Sequence, residues 1–185
     1  MNSLKGYFLI AMPSLMDPHF FRSVTYLCDH TEEGALGIVI NQPLANLRLA
    51  NILEQMGIQT EYPEIENHIV FSGGPVHPER GFILHESGKK WQSTTEVNDT
   101  IALTTSPDIL QAIARNEGPN HKLIALGYAN WEQGQLEKEM SENAWLYAPA
   151  NIDILFHMSI EYRWKAAAAL MGVDVDRLSN DIGHA

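Results

Sequence analysis

The single cysteine and its nearest histidine are the first residues whose types and spacing suggest chemistry. Cys28 and His30 lie two positions apart in an apolar run, so a strand would place both side chains on one face with Tyr26. A thiol beside an imidazole is the arrangement of an activated nucleophile or a metal pair. Alternate strand residues are about 6–7 Å apart, too far for a direct hydrogen bond, and Val24 makes the same face apolar. The pattern favours a packed cysteine and keeps Cys28 as a candidate reactive thiol.

Ser72 is the second candidate nucleophile, because it precedes Gly73, Gly74 and Pro75. Backbone N–H groups of such a turn can form an oxyanion hole. However, the chain lacks the G-x-S-x-G elbow, and the sequence assigns no base to the serine. The glycines match neither a Walker nor a dinucleotide-binding pattern. Their favoured use is a tight bend where strands cross.

The eight histidines are scattered and predict no metal site. None belongs to an H-E-x-x-H motif, and no second cysteine supports zinc binding. His77 and His85 flank a stretch with Glu79 and Glu86, which is only a weak metal hypothesis. We therefore expect no metal and no cofactor.

Three separate segments run from apolar residues into a turn rich in Gly, Asn or Pro. They are 37–43, which ends in Asn41-Gln42-Pro43, then 71–76 around the two glycines, and 126–131 from Leu126 to Trp131. We predict that these strand ends converge on one concave place that binds a ligand. The candidate ligand-binding residues are Asn41, Pro43, Ser72, Gly73, Gly74, Pro75, Tyr128, Trp131 and Gln135.

Period-two and helical patterns along the chain predict clustered strands separated by helices, which indicates an α+β fold in one domain over residues 1–185. Strands are predicted at 6–12, 23–30, 35–41, 68–71, 81–86, near 91–97, and at 100–104, 121–126 and 144–147. Helices are predicted at 46–56, from Ser106, at 131–143 and at 160–171, with a helical turn at 153–158 and a polar connection at 59–66. The acidic stretch 131–143 is most simply a solvated face, with a docking surface for a basic partner as the alternative.

Composition limits the classes of function. The chain has 185 residues, 45% of them hydrophobic and 19% charged, with a net charge of −11, which is typical of a globular protein. The negative charge disfavours binding to nucleic acid and to anionic membranes. A lone cysteine indicates a reducing compartment, and no apolar run reaches the roughly 18 residues of a membrane helix. We expect a cytoplasmic protein.

Taken in order, the motifs resemble those of the bacterial AlgH/YqgE family. The resemblance rests on segments 6–13, 26–30, 37–43, 71–76, 127–129, Trp131, 134–137, 143–145 and the closing Gly183-His184-Ala185. It implies a branched β-sheet curled into a pseudo-barrel with helices packed outside. It also implies a bacterial cytoplasmic protein with no established activity, in a family whose members sometimes carry the label of transcriptional regulators.

Three functions remain open from the sequence. A non-enzymatic binding or regulatory module, which recognises a protein or a small ligand at the strand-end loops, is favoured because no complete catalytic constellation is present. An enzyme, either a hydrolase or a thiol-dependent activity, would use Ser72 or Cys28. Direct DNA binding ranks last, because Lys and Arg total only 12 and no basic recognition helix is evident.

Overall fold

The computed structural model describes residues 2–178. Its ten strands are β1 (Tyr7–Ala11), β2 (Val24–Thr31), β3 (Gly34–Val39), β4 (Pro43–Arg48), β5 (Ile69–Ser72), β6 (Val76–Glu86), β7 (Thr94–Glu96), β8 (Ile101–Thr104), β9 (Lys122–Glu132) and β10 (Trp145–Pro149). Its helices include α1 (Leu49–Gln55), α2 (Pro63–Glu66), α3 (Asp108–Ala114), α4 (Gln135–Ser141) and α5 (Arg163–Ala169), with a π-helical segment at Asp153–His157 and a 3-10 turn at Ile160–Tyr162. The closing Gly183-His184-Ala185 motif lies outside the described residues.

The strands form one branched sheet, and β9 is its branch point. The main order is β10-β1-β2-β3-β9-β6-β8-β7, while β5 pairs with β9 and with β4. The first half of β9 runs parallel to β5, with Ser72 opposite Leu126. Its second half pairs antiparallel with β3, with Gly37 opposite Ala129. The strand therefore changes its neighbour near Gly127, and the sheet curls there into a half-barrel. The α+β class and the branched, curled sheet are confirmed.

Apolar residues on the two faces of the sheet form separate cores. The enclosed face carries one cluster shared by both halves of the sheet, and the π-helical segment and α5 complete it. On the outer face, α1, α2 and α3 cover β5, β6 and β9. The N-terminal residues and α4 cover the outer side of β1, β2, β3 and β10. Strand alternation thus explains why successive residues of β9 enter different cores.

Several predicted element boundaries were wrong. The chain from Pro43 to Arg48 is a strand because it pairs with β5, so the helix starts at Leu49 and not at Asn46. Strand β9 does not end at Leu126 but continues to Glu132, because β3 needs a partner there. The acidic helix consequently begins only after Gly134, whose φ is +77°. Pairing between distant segments overrode local helix propensity in both places. Elsewhere, α2 forms within the predicted polar connection, and the predicted 160–171 helix splits into a 3-10 turn and α5.

Candidate functional site

The three predicted turn segments do meet through their backbones, at a place that we call the strand-end junction (residues 41–43, 72–75 and 127–128), but the third segment lies within β9 and is not a strand end. The Ser72 amide donates to the Gln42 carbonyl at 2.7 Å, and the Gly73 amide donates to the Leu126 carbonyl at 2.8 Å. The Gly73 carbonyl in turn accepts from the Val39 amide at 2.8 Å. Backbone hydrogen bonds therefore join β3, β5 and β9 directly, as the shared turn pattern predicted.

The glycines of the junction are required by close backbone approach. A Cβ atom on Gly73 would lie 2.3 Å from the Gly127 carbonyl oxygen, and one on Gly74 would lie 2.2 Å from the Tyr128 carbonyl carbon. Gly127 itself has φ +81°, a conformation that favours glycine. The centre of the junction is thus filled with backbone, and these glycines permit strands to cross.

The polar and proline residues of the junction have different surroundings. The Asn41 side chain accepts from the Val24 amide at 2.9 Å and donates to the Arg22 carbonyl at 2.9 Å, so it fastens the end of β3 to the start of β2. Ser72 is half-buried, whereas Pro43 and Pro75 are exposed. Of the predicted binding residues here, the two prolines present the most surface.

The structure does not bring Tyr128 and Trp131 to one surface. Tyr128 packs in the enclosed core against Phe82, with ring centroids 5.3 Å apart. Trp131 lies in the outer core against Phe20, with centroids 5.9 Å apart. An odd spacing on a continuous strand sends the two rings to opposite faces. Gln135 lies near Trp131 and not near Tyr128, since its amide oxygen accepts a hydrogen bond from the Glu132 backbone amide.

Cys28 is buried and faces the enclosed core. A β-bulge between Leu27 and Asp29 adds one residue to β2. The bulge reverses the alternation, so His30 enters the outer face and not the face of Cys28. The prediction that the thiol and imidazole share one face was therefore wrong. Burial, followed by the charge of Asp29, also raises the pKa of the thiol far above its usual range, which argues against a reactive thiolate.

Ser72 is not paired with a catalytic base. No hydrogen bond joins its hydroxyl to a histidine or a carboxylate within residues 2–178. In the same part of the chain, no group of three or more His, Cys, Asp or Glu side chains is placed to hold a metal ion.

A histidine–glutamate pair was missed by sequence reasoning. His30 is 6% exposed, its Nδ1 accepts from the Leu4 amide at 2.9 Å, and its Nε2 lies 2.8 Å from Glu137 Oε1. Because Nδ1 is an acceptor, the proton resides on Nε2 and is donated to the carboxylate. This bond is the largest cause that lowers the pKa of Glu137. Both residues lie in motifs that carry the family resemblance, but 107 residues separate them in the sequence.

Two glutamates of the predicted docking face therefore point inward. Besides Glu137, Glu139 accepts from the indole of Trp131 at 3.3 Å and from that of Trp145 at 3.5 Å. Helix α4 uses these carboxylates to satisfy buried donors on the sheet. The acidic face of α4 is therefore not purely solvated.

A second buried polar group is a hydrogen-bond chain that ends on His85. The Trp91 amide donates to Thr94 Oγ1, and the Thr94 and Thr104 hydroxyls lie 2.8 Å apart. Thr104 Oγ1 is 2.7 Å from His85 Nε2, and His85 Nδ1 is 2.8 Å from the Glu86 carbonyl oxygen. The carbonyl must accept, so Nδ1 carries a proton. Burial lowers the pKa of His85, which favours the neutral imidazole, whose Nε2 accepts from the Thr104 hydroxyl.

A cleft beside the strand-end junction contains a buried arginine, Arg163. The Arg163 cleft, as we call it, has a volume of about 550 Å³ and lies between the first residues of β5 and β9 and the segment 155–163. Its apolar lining includes Phe71, Leu123, Leu155, Phe156, Met158 and Ile160, and its polar lining includes His68, Lys122, Glu161 and Arg163.

Arg163 connects this cleft to the junction. The residue is 6% exposed, and its guanidinium donates from Nη1 to the Ile40 carbonyl at 2.7 Å and from Nε to the Met158 carbonyl at 3.0 Å. The guanidinium carbon also lies 5.3 Å from the centre of the Phe71 ring. Ile40 and Phe71 directly precede the junction residues Asn41 and Ser72. The cleft and the junction therefore share a wall.

Burial changes the acid–base properties of three groups in the Arg163 cleft. Desolvation lowers the pKa of Arg163 to about 10 and lowers that of Lys122. Desolvation likewise lowers the pKa of His68, with a further contribution from the charge of Lys122. In each case the surroundings penalise the positive charge because water is excluded and acidic partners are few.

The comparisons with known proteins agree on one group of relatives. A family model described as AlgH-like matches residues 8–176. A UPF0301 protein of Methylococcus capsulatus is 53% identical over 181 residues, which is 98% of this chain and 96% of that protein. A UPF0301 protein of Thioalkalivibrio sulfidiphilus is 54% identical over 184 residues, covering 100% and 98% of the two chains.

Solved structures give the same result for the fold. The solution structure of the AlgH protein from Pseudomonas aeruginosa matches with a TM-score of 0.81 at 49% identity, covering 96% of this chain and 94% of that one. A crystal structure of a Corynebacterium diphtheriae protein, at 18% identity and a TM-score of 0.68, shares the fold. In the described residues, no helix is long and apolar enough to cross a membrane.

Proposed function

The chain belongs to the AlgH-like family, and we propose that it is a non-enzymatic binding module that takes a small ligand in the Arg163 cleft. The function is the one predicted from the sequence, but the ligand site lies beside the strand-end junction and not within it. Since backbone fills the centre of the junction, a ligand needs the adjoining space.

One observation carries the proposal. Arg163, a nearly buried cation, lines a concave space of about 550 Å³ and forms no ion pair in the described part of the chain. Small-molecule sites are typically concave, mainly apolar, and equipped with a few convergent polar groups, with volumes of about 300–1,000 Å³. The lining of the Arg163 cleft has this character.

The alternatives have less support. Cys28 faces the core with a raised pKa, and Ser72 lacks a base, so neither nucleophile is ready for an enzymatic mechanism. A net charge of −11 opposes the approach of a phosphate backbone, so direct DNA binding is not proposed. Contact of a protein partner with the exposed Pro43 and Pro75, and a regulatory consequence of binding, stay predictions.

The test is a thermal-unfolding screen against a panel of neutral, cationic and anionic metabolites. Any compound that raises the Tm is then compared on Ser159→Trp, which places a large ring at an exposed position of the cleft lining, and on the matched control Ser141→Trp, at an exposed position of α4. We expect at least one compound to stabilise the wild type and the control but not Ser159→Trp. If no compound stabilises the wild type, or if stabilisation persists in Ser159→Trp, the proposed site is wrong.

A further inference from the structure

Among residues 2–178, Arg163 has no counter-ion, although a buried charge normally has one. Its two identified acceptors, the carbonyl oxygens of Met158 and Ile40, are neutral. A buried charge is costly unless it is paired with an opposite charge or fully hydrogen-bonded. An anion in the cleft would supply the missing charge.

The guanidinium has donors available for such an anion. Arginine carries five N–H donors, and two of them are used on the carbonyls of Met158 and Ile40. The Phe71 ring beneath the guanidinium restrains its plane. A held guanidinium with free N–H groups suits the two or three oxygens of a carboxylate or phosphate.

The other ionisable side chains of the lining include one further cation. Lys122 is half-buried, and within residues 2–178 its hydrogen bond is a long one, 3.4 Å, to the Pro119 carbonyl, while the charge of Glu86 also acts on it. His68 Nδ1 donates to the Ile69 carbonyl at 2.9 Å and burial lowers the pKa of the ring, so Nε2 of the neutral imidazole is an acceptor and does not help to hold an anion. Glu161 is the acidic residue of the lining, and it is exposed to water. Arg163 and Lys122 are therefore the two groups that favour an anion, in a chain of net charge −11.

The rest of the lining is apolar and limits which anions fit. Phe156, Met158 and Ile160 are partly exposed in the cleft and offer no charge to a ligand. An inorganic ion would leave this surface uncovered, whereas an aromatic or aliphatic body would bury it at roughly 25 cal/mol per Å². The lining therefore matches a molecule with one anionic end and one apolar end.

We propose that the ligand of the Arg163 cleft is a small organic anion, with a carboxylate or phosphate head held by Arg163 and Lys122 and an apolar body packed against Phe156 and Ile160. This inference rests on the proposed function and specifies the class of ligand. The alternative role for Arg163 is a structural clamp that only satisfies two carbonyls. The two roles differ in whether anions bind.

The test uses matched probes in isothermal titration calorimetry on the full chain. Benzoate and phenyl phosphate are the anionic probes, benzamide is the neutral match for benzoate, and inorganic phosphate reports on the head alone. We expect both organic anions to bind, benzamide and inorganic phosphate to bind at least tenfold more weakly, and raised salt to weaken the anions. The stronger of the two organic anions identifies the head group as carboxylate or phosphate.

Variants connect the binding to the cleft. Lys122→Gln should weaken the organic anions by about tenfold, the size expected for one charge-assisted hydrogen bond. Lys165→Gln is the matched control, because Lys165 is exposed and pairs with Asp176. Lys122 is preferred over Arg163, whose hydrogen bonds also hold the fold together.

The outcomes separate this inference from the proposed function. Equal binding of benzamide and benzoate would overturn the anionic class while leaving a ligand site in place. Equal loss of affinity in the Lys122 and Lys165 variants would overturn the assigned position of the anion. Absence of binding by both organic anions would overturn the inference, and the metabolite screen would then decide the proposed function by itself.

Discussion

Arg163 donates a hydrogen bond at 2.7 Å to the backbone carbonyl of Ile40, which lies 123 residues earlier in the chain. The next residue, Trp164, donates from its indole to the Ala11 carbonyl at 2.8 Å. These two bonds attach the start of α5 to the ends of β3 and β1. The segment that covers the Arg163 cleft is therefore held against the sheet at the point where the strand-end junction begins.

The crossing of strands at the junction predicts a large cost for any side chain there. Gly73→Ala should lower the free energy of unfolding by at least about 3 kcal/mol, because its Cβ would overlap the Gly127 carbonyl oxygen. Gly81→Ala is the control, since nothing lies within 4 Å of its Cβ position, and it should change stability by less than about 1 kcal/mol. Urea unfolding of both variants measures the difference, and similar stabilities would show that the junction tolerates a methyl group.

Two buried threonines predict opposite effects of one substitution. Thr25 Oγ1 is buried and has no hydrogen-bond partner in the described part of the chain, so Thr25→Val should raise the free energy of unfolding by about 1 kcal/mol. Thr104 Oγ1 bonds to both His85 and Thr94, so Thr104→Val should lower it by about 1–3 kcal/mol. Denaturant midpoints of the two variants provide the comparison, and a loss of stability in Thr25→Val would contradict the assignment of an unsatisfied hydroxyl.

Stability should fall on mild acidification. Burial lowers the pKa values of His68 and His85 below their ordinary value of 6.5, so the unfolded chain takes up protons that the folded chain excludes. The stabilisation is complete above about pH 6.5 and is lost as the pH falls from there toward the lowered pKa values. The slope is at most about 1.4 kcal/mol per pH unit for each group.

Urea unfolding between pH 7.5 and 5.5 measures this slope before most carboxylates titrate. His85→Gln should show a shallower dependence on pH than the wild type, because one titrating group is gone. An unchanged slope in His85→Gln would mean that His85 does not titrate differently on folding.

The His30–Glu137 hydrogen bond predicts a graded response to substitution. Glu137→Ala leaves the buried Nε2–H of His30 without its acceptor, and it should lower the free energy of unfolding by about 1–2 kcal/mol. Glu137→Gln keeps an acceptor oxygen and should lose less. Glu142→Ala, at the exposed C-terminal end of the same helix, should be neutral, and equal effects of the Glu137 and Glu142 changes to Ala would indicate a surface charge effect only.

The sequence predicted the parts of the fold that local patterns determine. The turns rich in Gly, Asn and Pro predicted where β3 and β5 end to within two residues. The apolar period of 109–113 predicted the buried face of α3. These features depend on a few neighbouring residues, and the structure confirms them.

The features that the sequence did not predict arise from distant pairings. Strand β4 forms because it pairs with β5, and the second half of β9 forms because it pairs with β3. The residues of these two segments do not by themselves indicate either pairing. The bulge at Cys28 also adds a residue without a Gly or Pro signal, and it moved His30 away from the thiol. The Arg163 cleft was missed for the same reason, because its residues come from positions 67–71, 122–123 and 155–163.

The measurement that tests the central claim most directly is a heteronuclear NMR titration of the labelled chain with phenyl phosphate. The account predicts saturable amide shifts at Ile69, Phe71, Leu155 and Phe156, with Arg163 side-chain signals moving at the same concentration. It also predicts that resonances around His30 and Glu137, on the outer face, stay unchanged. Shifts that are scattered, that do not saturate, or that centre on the outer face would contradict a ligand site in the Arg163 cleft.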